Sequence, residues 1–520
     1  MKSITKKIIA TVAMIILSII ANYFLLPAWN IHDSGCWAFV IIIFTTAAPI
    51  FAAIDGFDST SNSKITASVL ISSAVSVSII VLLVLVLCSA PIFNASAYAN
   101  VMKVDESPFT EAIPATDMDR IITVDRDTAA KYGSRKIGTL SEYVSQYEVS
   151  NKYTQINEDG IAYRVSPLEF SSIFKWANMH TIPGYVKVNT YTGDVKFIEC
   201  QMKVSPSGYF SEDLKRICRF KYPSVMFGGF NFEIDDDGVP YYVAPIYKYT
   251  IGVFGGKDID GAIMVNAVTG EVIKYDLDSV PEWVDHVFKG ELVIKQLNWH
   301  YAYQNGFWNT VFGQKNVRQT TTGYGYINGS VEQNDVYLYT GITSVGTDES
   351  NLGFVLVNMR TGEATYSKCP SAEEYSAMDT SKGAVQEKGY EASFPVLINI
   401  NDKPVYFLTL KDSAGLVKAY SLVNAQDYTK VKVADTLEDV WKEFTSYVST
   451  TTNEEAKTIE AMVNKIIPVV IDGNTVYYIT FEDNHMIFVA DIHISNKLPF
   501  IEAGETIAVN AIGTTIVSIE

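Results

Sequence analysis

Cysteine and histidine are scarce in this sequence, with five and six residues among 520. Cys36 and Cys88 lie in apolar stretches, so only Cys200, Cys218 and Cys369 remain for the rest of the chain. This excludes the disulfide framework that stabilises small secreted domains. A single disulfide bridge between Cys200 and Cys218 remains an alternative. The histidines are scattered, and none has a partner at the spacing of metal ligands.

The usual motifs of enzymes are also absent. The sequence has no Gly-x-Ser-x-Gly, His-Glu-x-x-His, Cys-x-x-Cys or phosphate-binding loop. Asp235-Asp236-Asp237-Gly238 has the composition of a calcium loop but lacks the glutamate that completes one, so it predicts a hairpin turn. We expect a protein that is not an enzyme and needs no cofactor or metal. A hydrolase without a known motif is the alternative.

Charged residues are missing from three stretches near the N-terminus, at 8–31, 34–54 and 65–102. About 20 apolar residues in a helix cross the ~30 Å hydrocarbon core of a membrane. The sequence therefore predicts three transmembrane helices within residues 1–95, at 8–29, 37–54 and 65–93. The second contains Thr45, Thr46 and Pro49, and a re-entrant hairpin is its alternative.

The basic residues of this region predict the orientation. Lys2, Lys6 and Lys7 precede the first span and Lys64 precedes the third, and the positive-inside rule places both sites in the cytoplasm. Three spans then put everything after Phe93 outside the plasma membrane. A cleaved signal peptide is the rival interpretation, but no small-residue cleavage site follows the first span.

The part of the chain beyond residue 95 is acidic. Residues 1–95 contain four lysines and three aspartates, so the other 425 residues carry a net charge of −19. Nucleic acid requires a basic surface and is therefore not expected as a partner. The expected partners are the lipid bilayer, through the N-terminal helices, and a protein or cell-wall component.

An internal repeat organises the acidic part. Segments that begin at Gly184, Gly261 and Gly353 each contain an alternating apolar strand, an Asn-x-x-Thr-Gly turn and a second strand. The glycine supplies the positive φ that such a turn needs, and the asparagine side chain can bond the backbone two residues on. The turn positions are Asn189, Gly193, Asn266, Gly270, Asn358 and Gly362.

A hairpin precedes each of these strands. Asp159-Gly160 matches Asp237-Gly238 in spacing, and looser copies follow at 334–335, 401–402 and 472–473. Before the second copy, residues 211–222 have the pattern of an amphipathic helix that Ser211 could cap. A helix followed by a small antiparallel sheet is an α+β layer.

The second repeat ends in Val265-Asn266-Ala-Val-Thr-Gly270-Glu-Val272, and here the chain resembles the PepSY family of extracytoplasmic α+β modules. The resemblance covers 206–276, with partial matches at 139–199 and 291–366 and a looser one at 385–430. PepSY modules occur in peptidase propeptides and in membrane-anchored bacterial proteins. The resemblance therefore implies binding or regulation rather than catalysis.

The C-terminal part differs from the repeats. Residues 437–444 and 456–467 have helical patterns, and the segment after 469 is rich in β-branched residues with turns at 472–473, 483–484 and Gly504. Residues 498–509 resemble OB-type barrels. The predicted domains are an anchor at 1–95, a linker and first unit at 96–205, further units at 206–290, 291–370 and 371–433, and a helical hairpin with a small β domain at 434–520.

The fold class predicted from these patterns is α+β, with transmembrane helices, tandem PepSY-like modules and a small C-terminal β-rich domain. Trp299, Tyr301, Tyr303 and Trp308 form the candidate ligand site, because aromatics among amides can bind a sugar or a peptide. Packing between repeat units is the other interpretation of these rings. We expect a membrane-anchored cell-surface binding or scaffolding protein of a bacterium; a regulator, inhibitor or chaperone of an exported peptidase is the alternative.

Overall fold

The computed structural model describes residues 2–56, 67–329, 335–346, 350–449, 457–471, 474–482, 484–495, 497–512 and 514–519. The chain divides into two compact units, Met1–Leu437 and Glu438–Glu520, here called the large unit and the small unit. Lys64, Asn334, the turn at 472–473 and Asp483, which the sequence predictions used, lie outside the described residues.

The large unit begins with four helices, three of them long and apolar: α1 Lys2–Leu25, α2 Ser34–Gly56, α3 Ala67–Cys88 and α4 Pro91–Ala99. Among the described residues, Thr5–Leu25 is long and apolar enough to cross a membrane, and Ser72–Cys88 with Pro91–Ala99 qualifies if this pair, bent by 47°, is one span. Within α2, the apolar stretch Ser34–Ile50 is shorter than the length required. One candidate membrane helix, or two, is thus observed, and the third predicted span stays a prediction.

A short strand, β1 Val104–Glu106, follows the apolar helices. The other helices of the large unit are α5 Phe109–Ala112, α6 Arg126–Gly138, α7 Ile173–Met179, α8 Leu214–Lys221, α9 Gly290–Tyr303 and α10 Glu374–Gly383. Asp213 caps α8, since its Oδ1 accepts a hydrogen bond from the Arg216 backbone N–H at 2.7 Å. The prediction that Ser211 caps this helix is wrong, because Ser211 lies in the preceding 3₁₀ turn.

Four antiparallel sheets follow α6, α8, α9 and α10 along the chain. The first contains β2 Tyr147–Val149, β3 Thr154–Glu158, β4 Ile161–Phe170, β5 Ile182–Asn189 and β6 Val195–Met202. The second contains β7 Asn231–Ile234, β8 Pro240–Ile251, β9 Gly255–Asn266 and β10 Val272–Asp276. The third contains β11 Arg318–Thr320, β12 Gly325–Asn328, β13 Val336–Ser344, β14 Ser350–Asn358 and β15 Ala364–Ala372, with β1 parallel to β15. The fourth contains β16 Glu391–Ala392, β17 Val396–Ile400, β18 Lys403–Lys411, β19 Val417–Asn424 and β20 Val431–Ala434.

The asparagine turn between the last two strands has the same pair of side-chain hydrogen bonds in all four sheets. In the second sheet, Oδ1 of Asn266 accepts hydrogen bonds from the backbone N–H groups of Val268 at 3.0 Å and Thr269 at 2.9 Å. The same pair of bonds is made by Asn189, Asn358 and Asn424. The turn glycines have positive φ, namely +78° at Gly193, +78° at Gly270 and +80° at Gly362.

This turn also holds the segment that leads toward the helix of its own unit. The carbonyl oxygen of the residue after each asparagine accepts a backbone N–H from that segment: Thr190 from Thr123 at 2.9 Å, Ala267 from Lys203 at 2.8 Å, Met359 from Val287 at 3.0 Å and Ala425 from Ala372 at 2.8 Å. Four helix-plus-sheet units therefore share one connection, and the fourth is a complete copy rather than a fragment.

The sheets of successive units pack together through shared cores. Tyr185 of the first sheet and Phe232 of the second have ring centroids 5.4 Å apart. The second and third sheets share a core that includes Val243. Phe354 of the third sheet and Tyr406 of the fourth have ring centroids 6.1 Å apart. Each sheet thus buries part of its apolar surface against the next one in the chain.

The fourth unit contacts the first unit. Lys411, at the end of β18, forms an ion pair with Asp125, the residue that caps α6. Lys131 on α6 donates a hydrogen bond to the carbonyl oxygen of Ala414. The four units are thus in cyclic contact, which the fourth sheet completes by meeting α6 of the first unit.

The small unit contains α11 Leu437–Ser449, β21 Lys457–Ile471, β22 Asn474–Phe481, β23 Asn484–Asp491, β24 Thr506–Ile512 and β25 Thr515–Ile519. Its strands pair in the order β21-β22-β23-β25-β24 and return to β21, with β23 and β25 parallel. Residues 457–467 lie in β21, so the predicted helix at 456–467 is wrong for its described part. As a strand, β21 pairs with both β22 and β24, and these pairings satisfy its backbone N–H and C=O groups.

Candidate functional site

The four aromatic residues of the predicted ligand site do not line one cleft. Trp299 and Tyr303 on α9 pack against Tyr98 of α4, with ring centroids 4.8 Å and 6.1 Å apart. Tyr301 is buried, with 5% of its surface exposed, in the core beneath the third sheet. Trp308 lies beyond α9 and is 58% exposed. Three of these rings therefore pack between elements of the fold, and the fourth faces outward.

A cavity of about 900 Å³ lies where the four sheets meet. We call it the central cavity. Strands of all four sheets contribute to its wall, namely β3, β4, β7, β8, β12, β17 and β18, together with the segments that lead to α6 and α9. Eight charged side chains line it: Asp125, Arg126, Asp127, Lys152, Arg164, Glu169, Lys289 and Glu291. Aromatic rings lie between them, at Phe230, Tyr324, Tyr326, Phe394 and Phe407.

The segment between the second and third units forms part of the cavity floor. Asp285 in this segment accepts a hydrogen bond at Oδ2 from the backbone N–H of Asn157 at 2.7 Å. The Nε2 atom of His286 lies 2.7 Å from the carbonyl oxygen of Gln155, and it is the donor because a carbonyl can only accept. These bonds satisfy backbone groups of β3 that no neighbouring strand pairs on this side.

Two carboxylates lie together beneath this floor. The backbone N–H of Asp285 donates to Oε2 of Glu233 at 2.8 Å, and both side chains are buried. Burial raises the pKa of the Glu233 carboxyl to about 7. Burial and the neighbouring Glu233 raise the pKa of Asp285 well above its usual range. Within the described part of the chain, Oε1 of Glu233 and Oδ1 of Asp285 have no hydrogen-bond partner, which favours protonated carboxyl groups.

The basic groups of the floor are also desolvated. Burial lowers the pKa of His286 to about 4, so its imidazole is neutral. Burial likewise lowers the pKa of Lys289 to about 8, and its Nζ donates to Oδ1 of Asn231 at 2.5 Å. Burial lowers the pKa of Arg164 to about 10, and this guanidinium donates to the Val124 carbonyl at 3.1 Å and to Gln155 at 3.0 Å.

Among the described residues, no group of three or more His, Cys, Asp or Glu side chains is placed to hold a metal ion. The cysteines of the chain are free thiols, and burial raises the pKa of Cys218 to about 12 and of Cys369 to about 11, which makes both poor nucleophiles. The bridge between Cys200 and Cys218 is not formed.

The sequence patterns do not identify the charged residues of the central cavity or the carboxylates beneath its floor. Glu233 lies between Phe232 and Ile234 in a strand whose side chains are buried, and Arg164 lies in the apolar strand of the first repeat. A charged residue inside an apolar strand is the one signal that could have identified them. Their convergence depends on contacts between units, which a repeat pattern does not reveal.

No protein-family model matches the chain, and no curated protein matches it. Among solved structures, an exo-1,5-α-L-arabinanase from a bovine ruminal metagenomic library matches with 9% identity over 72% of this chain and 98% of its own, at a TM-score of 0.18. An exo-β-1,3-galactanase from Phanerochaete chrysosporium matches with 9% identity over 64% of this chain and 60% of its own, at a TM-score of 0.17. A B. megaterium levansucrase matches with 11% identity over 80% of this chain and 95% of its own, at a TM-score of 0.18. TM-scores this low establish neither a common fold nor a common activity.

Proposed function

We propose that this chain is a non-enzymatic binding protein, anchored in the plasma membrane with its large unit outside, and that it holds a short peptide in the central cavity. One observation carries the proposal. All four repeat units contribute to one cavity that contains charged side chains of both signs between aromatic rings. A site built jointly by every copy of a repeat indicates that the repeats act as one binding element.

The lining favours a peptide. Lys152, Arg164 and Lys289 can bind a terminal or side-chain carboxylate, and Asp127, Glu169 and Glu291 can bind an amino group. The rings at Phe230, Tyr324 and Phe394 provide apolar surface for side chains. Nucleic acid would require a cavity lined by basic side chains, whereas this lining contains both acidic and basic side chains.

The contacts of the apolar helices support the anchored orientation. Arg219 donates from Nε to the carbonyl oxygen of Leu26 at 3.2 Å, just after α1. His32, just before α2, donates from Nδ1 to the carbonyl oxygen of Val253 at 2.7 Å. Ser89, just after α3, accepts at Oγ from the Val253 backbone N–H at 3.0 Å. These three helix ends therefore meet the second unit, which leaves the N-terminal lysines at the opposite end of α1, where the positive-inside rule expects the cytoplasm.

We also propose that the four units are PepSY-like modules and that the small unit is OB-like. A helix followed by an antiparallel sheet with a conserved turn geometry supports the first assignment. A five-stranded order that returns to its first strand, with the third and fifth strands parallel, supports the second. The peptidase-regulator alternative also rests on the PepSY resemblance.

The test is peptide binding by the full chain in lipid nanodiscs, with a synthetic pool of random hexapeptides as the probe. We expect the protein to enrich a subset of peptides over empty nanodiscs. Lys152→Glu should reduce this enrichment about tenfold, because a reversed charge contact costs about 1.4 kcal/mol. Lys196→Glu, an exposed lysine of β6 outside the cavity, is the matched control and should bind like the wild type.

Mass spectrometry of the bound peptides gives the readout. No enrichment over empty nanodiscs would refute the peptide proposal, and equal loss in both variants would assign binding to the general surface charge. Inhibition of a secreted peptidase by the same nanodiscs, without peptide enrichment, would favour the regulator alternative.

A further inference from the structure

The segment that follows α9 exposes large apolar side chains. In residues 307–312, here called the aromatic loop although Asn309–Gly313 forms a π-helical turn, Trp308 is 58% exposed, Val311 51% and Phe312 79%. The rings of Trp308 and Phe312 stack, with centroids 5.7 Å apart and an interplanar angle of 16°. Asn309 fixes the loop, since its Oδ1 accepts from the Lys315 N–H at 3.2 Å and its Nδ2 donates to the Lys315 carbonyl at 3.0 Å. The exposed rings are thus held in place by a defined backbone.

The aromatic loop is continuous with the apolar helices. Tyr98 of α4 donates from its hydroxyl to the carbonyl oxygen of Ser89, at the end of α3, at 2.7 Å. The Tyr98 ring contacts Tyr303, and the Tyr303 ring stacks on Phe307 with centroids 6.3 Å apart. Phe307 in turn contacts Trp308, with centroids 5.5 Å apart. A row of rings therefore connects the end of α3 with the aromatic loop.

Other exposed apolar residues lie beside the same helices. Phe93 on α4 is 71% exposed. Phe220, at the end of α8, is also exposed, and its ring lies 5.9 Å from the ring of Tyr23 on α1. The large unit thus presents apolar side chains beside the end of α1, which qualifies as a membrane span, and on α4 of the bent pair that qualifies if it is one span. Exposed apolar surface of this kind marks an interaction site.

The charge around the aromatic loop is the opposite of that of the whole chain. Residues 290–320 contain Lys295, Lys315 and Arg318 against one acid, Glu291, a net charge of +2, whereas the chain carries −18. The ammonium group of Lys295 also lies 5.2 Å from the centre of the Trp299 ring. Aromatic rings next to basic side chains suit the boundary between lipid acyl chains and phosphate headgroups.

We propose that the aromatic loop inserts into the lipid interface of the bilayer that holds the apolar helices. Trp308, Val311 and Phe312 enter the boundary between headgroups and acyl chains, and Lys315 meets the phosphates. The inference rests on the membrane anchoring proposed above. It adds a second attachment point just after α9, so that the large unit is held at a fixed orientation to the membrane instead of pivoting on its anchor.

The test measures the depth of the loop with a fluorescent reporter. Phe312→Trp and Tyr428→Trp are each placed in the full chain in nanodiscs with ordinary or brominated phosphatidylcholine, because bromine on acyl chains quenches tryptophan at short range. Tyr428 is 47% exposed in the turn of the fourth sheet, away from the apolar helices, and is the matched control. After subtraction of the wild-type emission, brominated lipid should quench the tryptophan at position 312 at least twofold and leave that at 428 unchanged. Equal emission from position 312 in both lipids would overturn the proposal.

A carbonate wash of native membranes separates this result from a failure of anchoring. Release of the protein by the wash would refute the anchoring itself. Retention of the protein together with an unquenched position 312 would refute the aromatic-loop inference alone. Peptide enrichment in the same nanodiscs is a separate readout, because the central cavity and the aromatic loop share no residue.

Discussion

Replacing Gly353 by alanine should lower the free energy of unfolding of the large unit by about 3 kcal/mol, at the upper end of the usual cost of overpacking. Gly353 lies in β14 opposite Lys368 of β15. A Cβ atom at this position would lie 2.2 Å from the carbonyl oxygen of Ser367 and 2.9 Å from the Tyr366 ring. Because the nearest atom belongs to the backbone, the two strands would have to separate.

The control for this substitution is Gly383→Ala. Gly383 ends α10, and a Cβ atom there would meet nothing within 4 Å, so its stability should be unchanged or slightly increased. Urea unfolding followed by intrinsic fluorescence measures both variants. Equal midpoints for Gly353→Ala and Gly383→Ala would show that the close strand contact does not exist.

The same contact explains the glycine that opens three copies of the repeat. A Cβ atom at Gly184 or Gly261 would lie 2.1 Å from a carbonyl oxygen of the neighbouring strand. The fourth copy has Ala419 at the equivalent position, five residues before Asn424. There β20 ends opposite Tyr420, so Ala419 has a paired residue on the β18 side but none on the β20 side, and an alanine is tolerated.

Replacing Glu233 by glutamine should stabilise the protein at high pH and not at low pH. The pKa of Glu233 is raised from its ordinary value of 4.5 to about 7 in the folded state, chiefly by burial. The folded chain therefore holds this proton more tightly than the unfolded chain, and stability falls as pH rises from about 4.5 through about 7. The loss amounts to at most about 3 kcal/mol, at 1.36 kcal/mol for each unit of pKa.

Thermal unfolding of the wild type and Glu233→Gln at pH 5 and pH 8 measures this difference. The variant should resemble the wild type at pH 5 and unfold at a higher temperature at pH 8. His286 has the opposite dependence, since its lowered pKa makes stability rise with pH between about 4 and its ordinary value of 6.5, but both proteins contain it and the comparison removes it. A difference that is the same at both pH values would contradict a buried, protonated Glu233.

Local sequence patterns predicted the turns of the fold well. The Asn-x-x-Thr-Gly segments form turns because the asparagine side chain and the positive φ of the glycine act within a few residues. The fourth copy was harder to recognise because it lacks the Thr-Gly pair after Asn424, although Asn424 makes the same two hydrogen bonds. The side-chain bonds are thus retained where the sequence signature is lost.

Pairing with strands distant in sequence explains why one prediction of secondary structure is wrong. Residues 456–467 space their apolar side chains in a way that fits a helix as well as a strand. Strand partners on both sides decide the structure, since Ile459 pairs with Val509 of β24 and Ile466 with Ile479 of β22. Pattern alone could not reveal these partners.

The candidate site shows the same limit. The aromatic residues at 299–308 were identified by composition, but the structure uses Trp299 and Tyr303 for packing against Tyr98. The central cavity combines residues such as Arg164 and Lys289, which lie far apart in sequence in different units. Neither residue has a sequence context in its own repeat that marks a binding site, so the site is identified only by the contacts between units.

Zero-length carbodiimide cross-linking of the full chain tests the cyclic arrangement most directly, because the reagent joins an amine only to a carboxylate already in contact with it. The ion pair of Lys411 with Asp125 joins the fourth unit to the first, and that of Lys187 with Glu158, within the first sheet, is the control. The account predicts both cross-links within one molecule, as shown by mass spectrometry of mixed light and heavy protein. Recovery of the control without the link between Lys411 and Asp125, or of that link only between two molecules, would contradict a closed ring of four units around the central cavity.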